Sequence, residues 1–347
     1  MQTHAREYLL LDHIQGLGKK GAADLLKEGI TPGEVIKRYN GRIERQKEKE
    51  ESVIQLLDSL EDLRLDLVTW ESNDYPQQIR EIPDPPAYFF KKGDFIPEDV
   101  KAVAIVGTRN MTIYGKAVTE KIVTELVAAG VTIVSGFMRG IDTVAHQIAL
   151  REGGRTIAVL GTGFNHIVPP ENKQLVHKVA NGGVILSEFL PDTKAQKFTF
   201  PMRNRIVAGL SKAIVVIEAG ERSGALITAQ LGLEQNKEIF AVPGSIFSPQ
   251  SEGTNWLLSQ GAHLAKTAHD ILDVLGLHSG GSSQSRRTLI QSQEEKLIFD
   301  LLAGGPLHGD DIVRRSGLDT SVALSTLSMM ELKGMVKNMG ESVYIIS

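Results

Sequence analysis

Between Ala102 and about residue 276, short apolar runs alternate with longer stretches whose apolar residues recur every three to four positions. The runs are Ala102–Val106, Thr132–Val134, Thr156–Leu160, Val184–Leu186, Ala213–Ile217 and Glu238–Val242, and Lys116–Ala129 and Asp142–Arg151 are among the amphipathic stretches between them. Nearly continuous apolar runs are strands buried on both faces, and helical crossovers between them make the sheet parallel. The pattern predicts an α/β fold, a Rossmann-like, doubly wound and mostly parallel sheet over residues 100–277. Such sheets bind ligands at the carboxyl ends of their strands. Those ends read Gly107-Thr108-Arg109, Ser135-Gly136, Gly161-Thr162-Gly163, Ser187-Glu188 and Glu218-Ala219-Gly220. The recurrence of small residues predicts a cleft floored by backbone amides.

The flanks follow other periods. Residues 1–63 read as helical throughout and predict, over 1–73, a helical domain of the SAM or helix–hairpin–helix kind. In Ile14–Leu25 the glycines Gly16 and Gly18 stand beside Lys19 and Lys20, which fits a phosphate-contacting hairpin or a plain helical turn with solvated lysines. The alternating charges of Arg42–Glu51 read as a solvated helix face. Residues 74–99, with five prolines among 74–97, read as an irregular connector packed through Tyr88, Phe89 and Phe90. A Gly/Ser linker follows the sheet at 278–285. Residues 286–347 then read as three helices and a hairpin, the order of a winged helix. Its charge is balanced, seven cations against eight carboxylates, which favours protein contact over independent duplex reading.

Composition narrows the chemistry. The chain has no cysteine, which removes disulfides, thiolate metal sites and a thiol nucleophile and fits a reducing, cytoplasmic setting. No window holds 18 consecutive apolar residues, and the first residues lack the order of a secretory signal. A net charge of −4 argues against a generally basic coat, so a polyanion site has to be a local patch.

Lys197–Ala229 is the densest such patch. Lys197, Phe200, Arg203 and Arg205 precede the strand Ala213–Ile217, and a helix opens at Ser223-Gly224, where free N–H groups favour an anion. Gly107-Thr108-Arg109 before Thr112, and Ser135-Gly136 with Arg139, repeat the amide-plus-guanidinium arrangement. Several separated phosphate sites with an aromatic among them suit a single strand better than a mononucleotide. Catalytic signatures are sparse. There is no Walker A lysine, no HExxH, and Gly161-Thr-Gly163 lacks the third glycine of a dinucleotide loop. Asp142 and His146, four apart, read as a helix-start acid hydrogen-bonded by a structural histidine, against a carboxylate–histidine pair for proton transfer; Glu218 reads as an ion-pair partner for an arginine rather than a catalytic base, and Ser223 as an N-cap rather than a nucleophile.

The motifs taken together, Ile105-Val-Gly-Thr-Arg109, Ser135-Gly136, Arg139-Gly-Ile-Asp142, Ala145-His146, Phe200-Pro-x-Arg-Asn-Arg205, Ser223-Gly-x-Leu-Ile-Thr228 and Val242-Pro-Gly244, closely resemble the DprA (Smf) family of bacterial DNA-processing proteins. The resemblance spans the sheet region and extends to Asp74-Tyr-Pro76, Pro85-Pro86 and both flanking domains. It implies a cytoplasmic homodimer that binds and protects incoming single-stranded DNA in natural transformation and helps load a RecA-type recombinase, without cofactor or catalysis. By motif position it implies a phosphate pocket at Gly107, Thr108, Arg109, Ser135, Gly136, Gly163, Lys197, Phe200, Arg203 and Asn204. Met138 departs from the family's usual alanine, and Gly161–Asn172 lacks its usual Asp and Tyr-Pro, which predicts a reshaped pocket floor. A competing expectation is an enzyme like the nucleoside-monophosphate phosphoribohydrolases, with Arg203 and Glu218 acting on a nucleotide, although their Pro-Gly-Gly-x-Gly-Thr loop is missing. A third is an adaptor working through the winged helix. Trp256, Leu257 and Leu258 on a short helix are either core or a self-association or recombinase surface.

Overall fold

The computed structural model describes residues 2–39, 41–43, 46–277, 292–333, 335–338, 340 and 342–346. The chain divides into two compact units, 1–277 and 278–347. The expected linker 278–285, together with Arg286 and Arg287, lies outside the described residues.

The first unit is built on a nine-stranded sheet in the order β1-β2-β6-β5-β4-β3-β7-β8-β9. Its strands are β1 Asp66–Thr69, β2 Tyr88–Gly93, β3 Val103–Val106, β4 Ile133–Ser135, β5 Thr156–Val159, β6 Gly183–Ser187, β7 Ala213–Val216, β8 Glu238–Ala241 and β9 His263–Leu264. The six expected strands pair in parallel, with β9 added beside β8. The chain steps outward from β3 to β6 and returns to lay β7 against the other side of β3, registering Ala104 with Ile214. That reversal places a crevice beyond β3 and β7. Alternate residues of the central strands enter opposite cores. Val103, Ile105, Val215 and Ile217 face α6 (Ile113–Ala128), α7 (Ile141–Arg151) and α12 (Ala268–Leu275), while Ala104, Val106, Ile214 and Val216 face α9 (Thr199–Gly209), α10 (Gly224–Glu234) and α11 (Glu252–Ser259). Two buried faces are why these strands read as unbroken apolar runs.

Residues 74–99 are not an irregular connector. They carry α5 (Gln77–Arg80) and β2, which runs antiparallel to both β1 and β6 and ties the helical region into the sheet; α8 (Lys173–Gly182) leads into β6. The prolines that signalled a loop all fall outside Tyr88–Gly93. Tyr88 and Phe90 pack on α1 (Gln2–Leu11), α2 (Gly18–Lys27), α3 (Pro32–Arg38) and α4 (Gln46–Leu63), while Phe89 enters the sheet core. Lys91, only 4% exposed, lies among the carboxylates of Asp66, Asp74 and Asp94. Both faces of this strand are covered by different partners, so it shows neither alternation nor a purely aliphatic run.

The second unit holds α13 (Gln293–Leu302), β10 (Leu307–His308), α14 (Gly309–Ser316), α15 (Thr320–Leu332), β11 (Val336–Asn338) and β12 (Val343–Ile346). Its antiparallel sheet, β10-β12-β11, closes over Ile298, Phe299, Ile312, Leu327 and Met330, a winged helix. Among the described residues no helix is long and apolar enough to cross a membrane.

Candidate functional site

A cleft of about 740 Å³ opens beyond the carboxyl ends of β3, β4 and β7. Gly107, Thr108 and Arg109 line it from the β3 end and Gly136 from the β4 end. Lys197, Phe200, Arg203 and Asn204 line it from the start of α9, and Gly220, Arg222, Ser223 and Gly224 from the turn into α10. On α9 the spacing of Phe200, Arg203 and Asn204, at i, i+3 and i+4, turns all three to one side. The Phe200 ring lies where a Gly161 Cβ would stand, 2.6 Å from its Cδ1, so only glycine admits it there. Above that ring sits the exposed Arg109, its guanidinium carbon 5.4 Å from the ring centroid.

Arg203 forms the floor. It is 4% exposed, and its Nη1 donates to the carbonyls of Gly136 and Val159 while Nε donates to Asn204 Oδ1 at 3.0 Å. Burial pulls its pKa down to about 10, with Asp142 opposing and Arg109 assisting, so it stays cationic at neutral pH. Asp142 is the one carboxylate lining the cleft among the described residues. It accepts from the Met138 amide at 3.3 Å, and burial drives it up to about 6 against the pull of Arg203. Arg109, Lys197 and Arg222 stand exposed around the mouth with no carboxylate partner among the described residues. The electrostatic sign of the cleft is positive, and its rim cations are available to an anion.

Four expected site residues lie elsewhere. Ser135 is wholly buried and its hydroxyl donates to the Ile105 carbonyl at 2.6 Å. Gly163 is packed against the carbonyls of Leu190 and Pro191, where a Cβ would come within 2.2 Å of both, so its role is close backbone approach. Arg139 is exposed but bound to Glu171. Arg205 is turned the other way along α9, with Nη1 and Nη2 donating to both oxygens of buried Glu188 at 2.8 Å and Nε to Asp84. A count of arginines in sequence cannot separate these two from the open ones, because their acidic partners are 32 and 17 residues away.

Other expectations change as well. Among the described residues Glu218 holds no arginine. Its carboxylate accepts from the Thr112 amide at 2.9 Å and from the Thr112 hydroxyl, closing the N-terminus of α6 from within. The α10 end, capped by Ser223 through the Ala225 amide at 3.3 Å, faces the cleft instead. His146 does not bond Asp142. Its Nδ1 meets Thr156 Oγ1 at 2.7 Å, and because that hydroxyl already donates to the Ile133 carbonyl, Nδ1 is the donor. Burial, with Arg203 nearby, holds the ring neutral with a pKa of about 3. Lys19 is tied to Asp12 and the Glu188 carbonyl and lies over Tyr88, so the turn at Gly16 and Gly18 does not present it to a phosphate. On α11, Leu257 is core and Leu258 packs against the core, while Trp256 is 52% exposed. Arg222, which the sequence motifs do not single out, also lines the cleft; its signal in sequence is a cation directly before an N-cap.

A mostly parallel sheet with a cationic cleft at its strand reversal, carried on one chain with a winged helix, defines the class: an α/β protein of Rossmann-like architecture with a winged-helix unit. Residues 66–276 match the family model for DNA recombination-mediator protein A, and residues 283–340 that for the DprA winged helix domain. The chain belongs to the DprA/Smf family. DNA processing protein DprA of Bacillus subtilis is 46% identical over 205 residues, 59% of this chain and 69% of that protein. Protein Smf of Escherichia coli is 40% identical over 278 residues, 78% of this chain and 74% of that protein. Among solved structures, DNA processing protein A of Streptococcus pneumoniae superposes with a TM-score of 0.65 at 33% identity, covering 77% of this chain and 97% of that one. DNA processing protein A of Helicobacter pylori, described for its single-stranded DNA binding mode, gives 0.54 at 31% identity, covering 60% and 95%.

Proposed function

We propose that the cleft binds single-stranded DNA through its phosphates, with Phe200 beneath Arg109 as a stacking surface, and that the protein is a binder rather than an enzyme. The observation that carries this is the set of open cations, Arg109, Lys197 and Arg222, around a floor formed by buried Arg203. Phosphates along a strand satisfy several separated cations at once, and an aromatic face accepts any base. The related Helicobacter pylori protein, studied for its single-stranded DNA binding mode, supports the same ligand. The groups a phosphoribohydrolase would use do not meet in one place: Arg203 is held by strand-end carbonyls and Glu218 by Thr112. Protection of incoming DNA in transformation, delivery to a RecA-type recombinase and a cytoplasmic homodimer contacting through half-exposed Trp256 complete the reading.

The test is fluorescence anisotropy of labelled oligo-dT against a salt titration. Arg109→Ala removes one phosphate contact, so its slope of log affinity against log salt flattens by about 0.7, and affinity near 0.1 M salt falls roughly five-fold from that term alone. Equal slopes and affinities for variant and wild type would remove the cleft as the binding site. Incubation with AMP, read for free adenine, addresses the enzymatic alternative.

A further inference from the structure

Beside the cleft, three large apolar side chains stand almost wholly in solvent: Ile113 at 91% exposure, Ile246 at 80% and Phe247 at 90%. They occupy one neighbourhood. Tyr114, itself half exposed, donates its hydroxyl to the Pro243 carbonyl at 2.7 Å, joining the start of α6 to the loop after β8. That loop makes a tight turn, with the Ser248 amide bonded to the Ser245 carbonyl at 3.0 Å and the Phe247 amide to Ser245 Oγ at 3.2 Å, so Ile246 and Phe247 form its tip. Turn tips normally carry Gly, Asn, Asp or Ser; an Ile-Phe pair held there by backbone bonds is a presented surface.

This surface continues the cleft. The Pro249 carbonyl oxygen lies 3.2 Å from where a Gly220 Cβ would stand, and Gly220 and Arg222 line the cleft mouth. Phe247 is two residues from Pro249, about 7 Å of chain. Cations flank both sides, Arg222 toward the cleft and the exposed Lys116 one turn along α6 from Ile113. Convex apolar tips interleaved with open cations are the arrangement of a base-stacking platform, whereas a helix or strand from a protein partner needs a groove or an open edge.

We propose that Phe247 and Ile246, with Ile113 and Tyr114, form a second DNA subsite that stacks the unpaired bases of the strand after it leaves the cleft past Arg222. The proposal rests on the reading of the cleft as a single-strand site. A strand whose phosphates follow Arg109, Arg203 and Arg222 turns its bases outward at the rim, where this platform is the adjoining apolar surface. Stacking there is independent of sequence.

The test uses the full chain and two probes, a six-nucleotide and a twenty-nucleotide oligo-dT, with Phe247→Ala, Ile246→Ala and the double variant. Both side chains are solvent-exposed, so the variants keep the wild-type melting temperature. The twenty-nucleotide probe is expected to weaken at least five-fold with Phe247→Ala and further with the double variant, while the six-nucleotide probe is unchanged. Replacing the probe's terminal bases with abasic spacers is expected to weaken wild type and leave the double variant unaffected. If both proteins bind the long probe equally, or lose equally with abasic spacers, the platform is not a DNA subsite; that includes the outcome in which the variants lose only a protein partner. If Arg109→Ala also leaves both probes bound as tightly as wild type, the cleft reading fails as well, which separates the two failures.

Discussion

Arg205 offers the sharpest separation of scaffold from binding site, because it follows Arg203 by two residues and does the opposite thing. Its guanidinium meets the Glu188 carboxylate in two parallel bonds of 2.8 Å, and the side chains are 8% and 2% exposed. Burial alone would raise Glu188, but Arg205 and Lys19 pull it below the usual carboxylate range, and the pair is ionised at neutral pH. Charges about 4 Å apart attract by about 4 kcal/mol at an effective dielectric constant near 20, and much of that offsets desolvation. Removing one partner leaves the other charge buried, and the expected cost is about 3–5 kcal/mol. Arg205→Met should fall at the lower end of that range, because Lys19 Nζ lies 4.0 Å from Glu188 Oε1 and still faces the carboxylate. Glu188→Met leaves the guanidinium with Asp84, which is one-third exposed, and should cost more. The double variant Glu188→Met/Arg205→Met removes both charges and should recover most of the loss. Urea unfolding followed by tryptophan fluorescence measures this in the full chain, because Trp70 and Trp256 both lie in the first unit and do not report on the winged helix. At concentrations of urea where all variants are folded, oligo-dT affinity should match wild type. An Arg205→Met protein of unchanged stability with lost DNA binding would refute the assignment and return this arginine to the cleft.

Other expectations follow from the same geometry. Gly136→Ala places a Cβ 2.6 Å from both Nη atoms of Arg203, so the guanidinium must leave its carbonyls; a loss of about 1–3 kcal/mol in urea unfolding together with weaker oligo-dT binding is expected, and an unchanged protein would contradict the floor geometry. Arg139→Ala breaks only an exposed ion pair with Glu171, so both the unfolding midpoint and the DNA affinity should stay at the wild-type values. The pH dependence has two opposed parts. His146, lowered from 6.5 to about 3, contributes stability that is present above pH 6.5 and lost as pH falls toward 3, whereas Asp142, raised from 3.8 to about 6, contributes stability that is present below 3.8 and lost as pH rises through 6. Between pH 4 and 6 the two slopes oppose each other, so Asp142→Asn should make stability climb more steeply with pH than it does in wild type, and parallel curves would show that Asp142 does not titrate there.

Much of the fold is written locally. Each central strand is a short apolar run because both of its faces are buried, and each run was legible by itself, as was Ser223 as a cap. The strand ends with small residues were legible too, since glycine is needed where backbone or ring approaches closely, as Gly161 shows under Phe200. What stayed hidden depends on partners distant in the chain. β2 is a strand because β1 and β6 supply its hydrogen bonds and the N-terminal helices its cover, and nothing within Tyr88–Gly93 announces either. Arg139 and Arg205 are paired while Arg109 and Lys197 are open, a difference made by Glu171, Glu188 and Asp84 arriving from other elements. Glu218 closes the start of a helix whose N-cap, Thr112, lies 106 residues before it. Residue type and period determine which segments become buried strands and helices, because burial is a property each segment carries in its own pattern. Which charges are left unpaired at the sheet's edge is settled only when the chain closes, because neutralisation depends on distance through space.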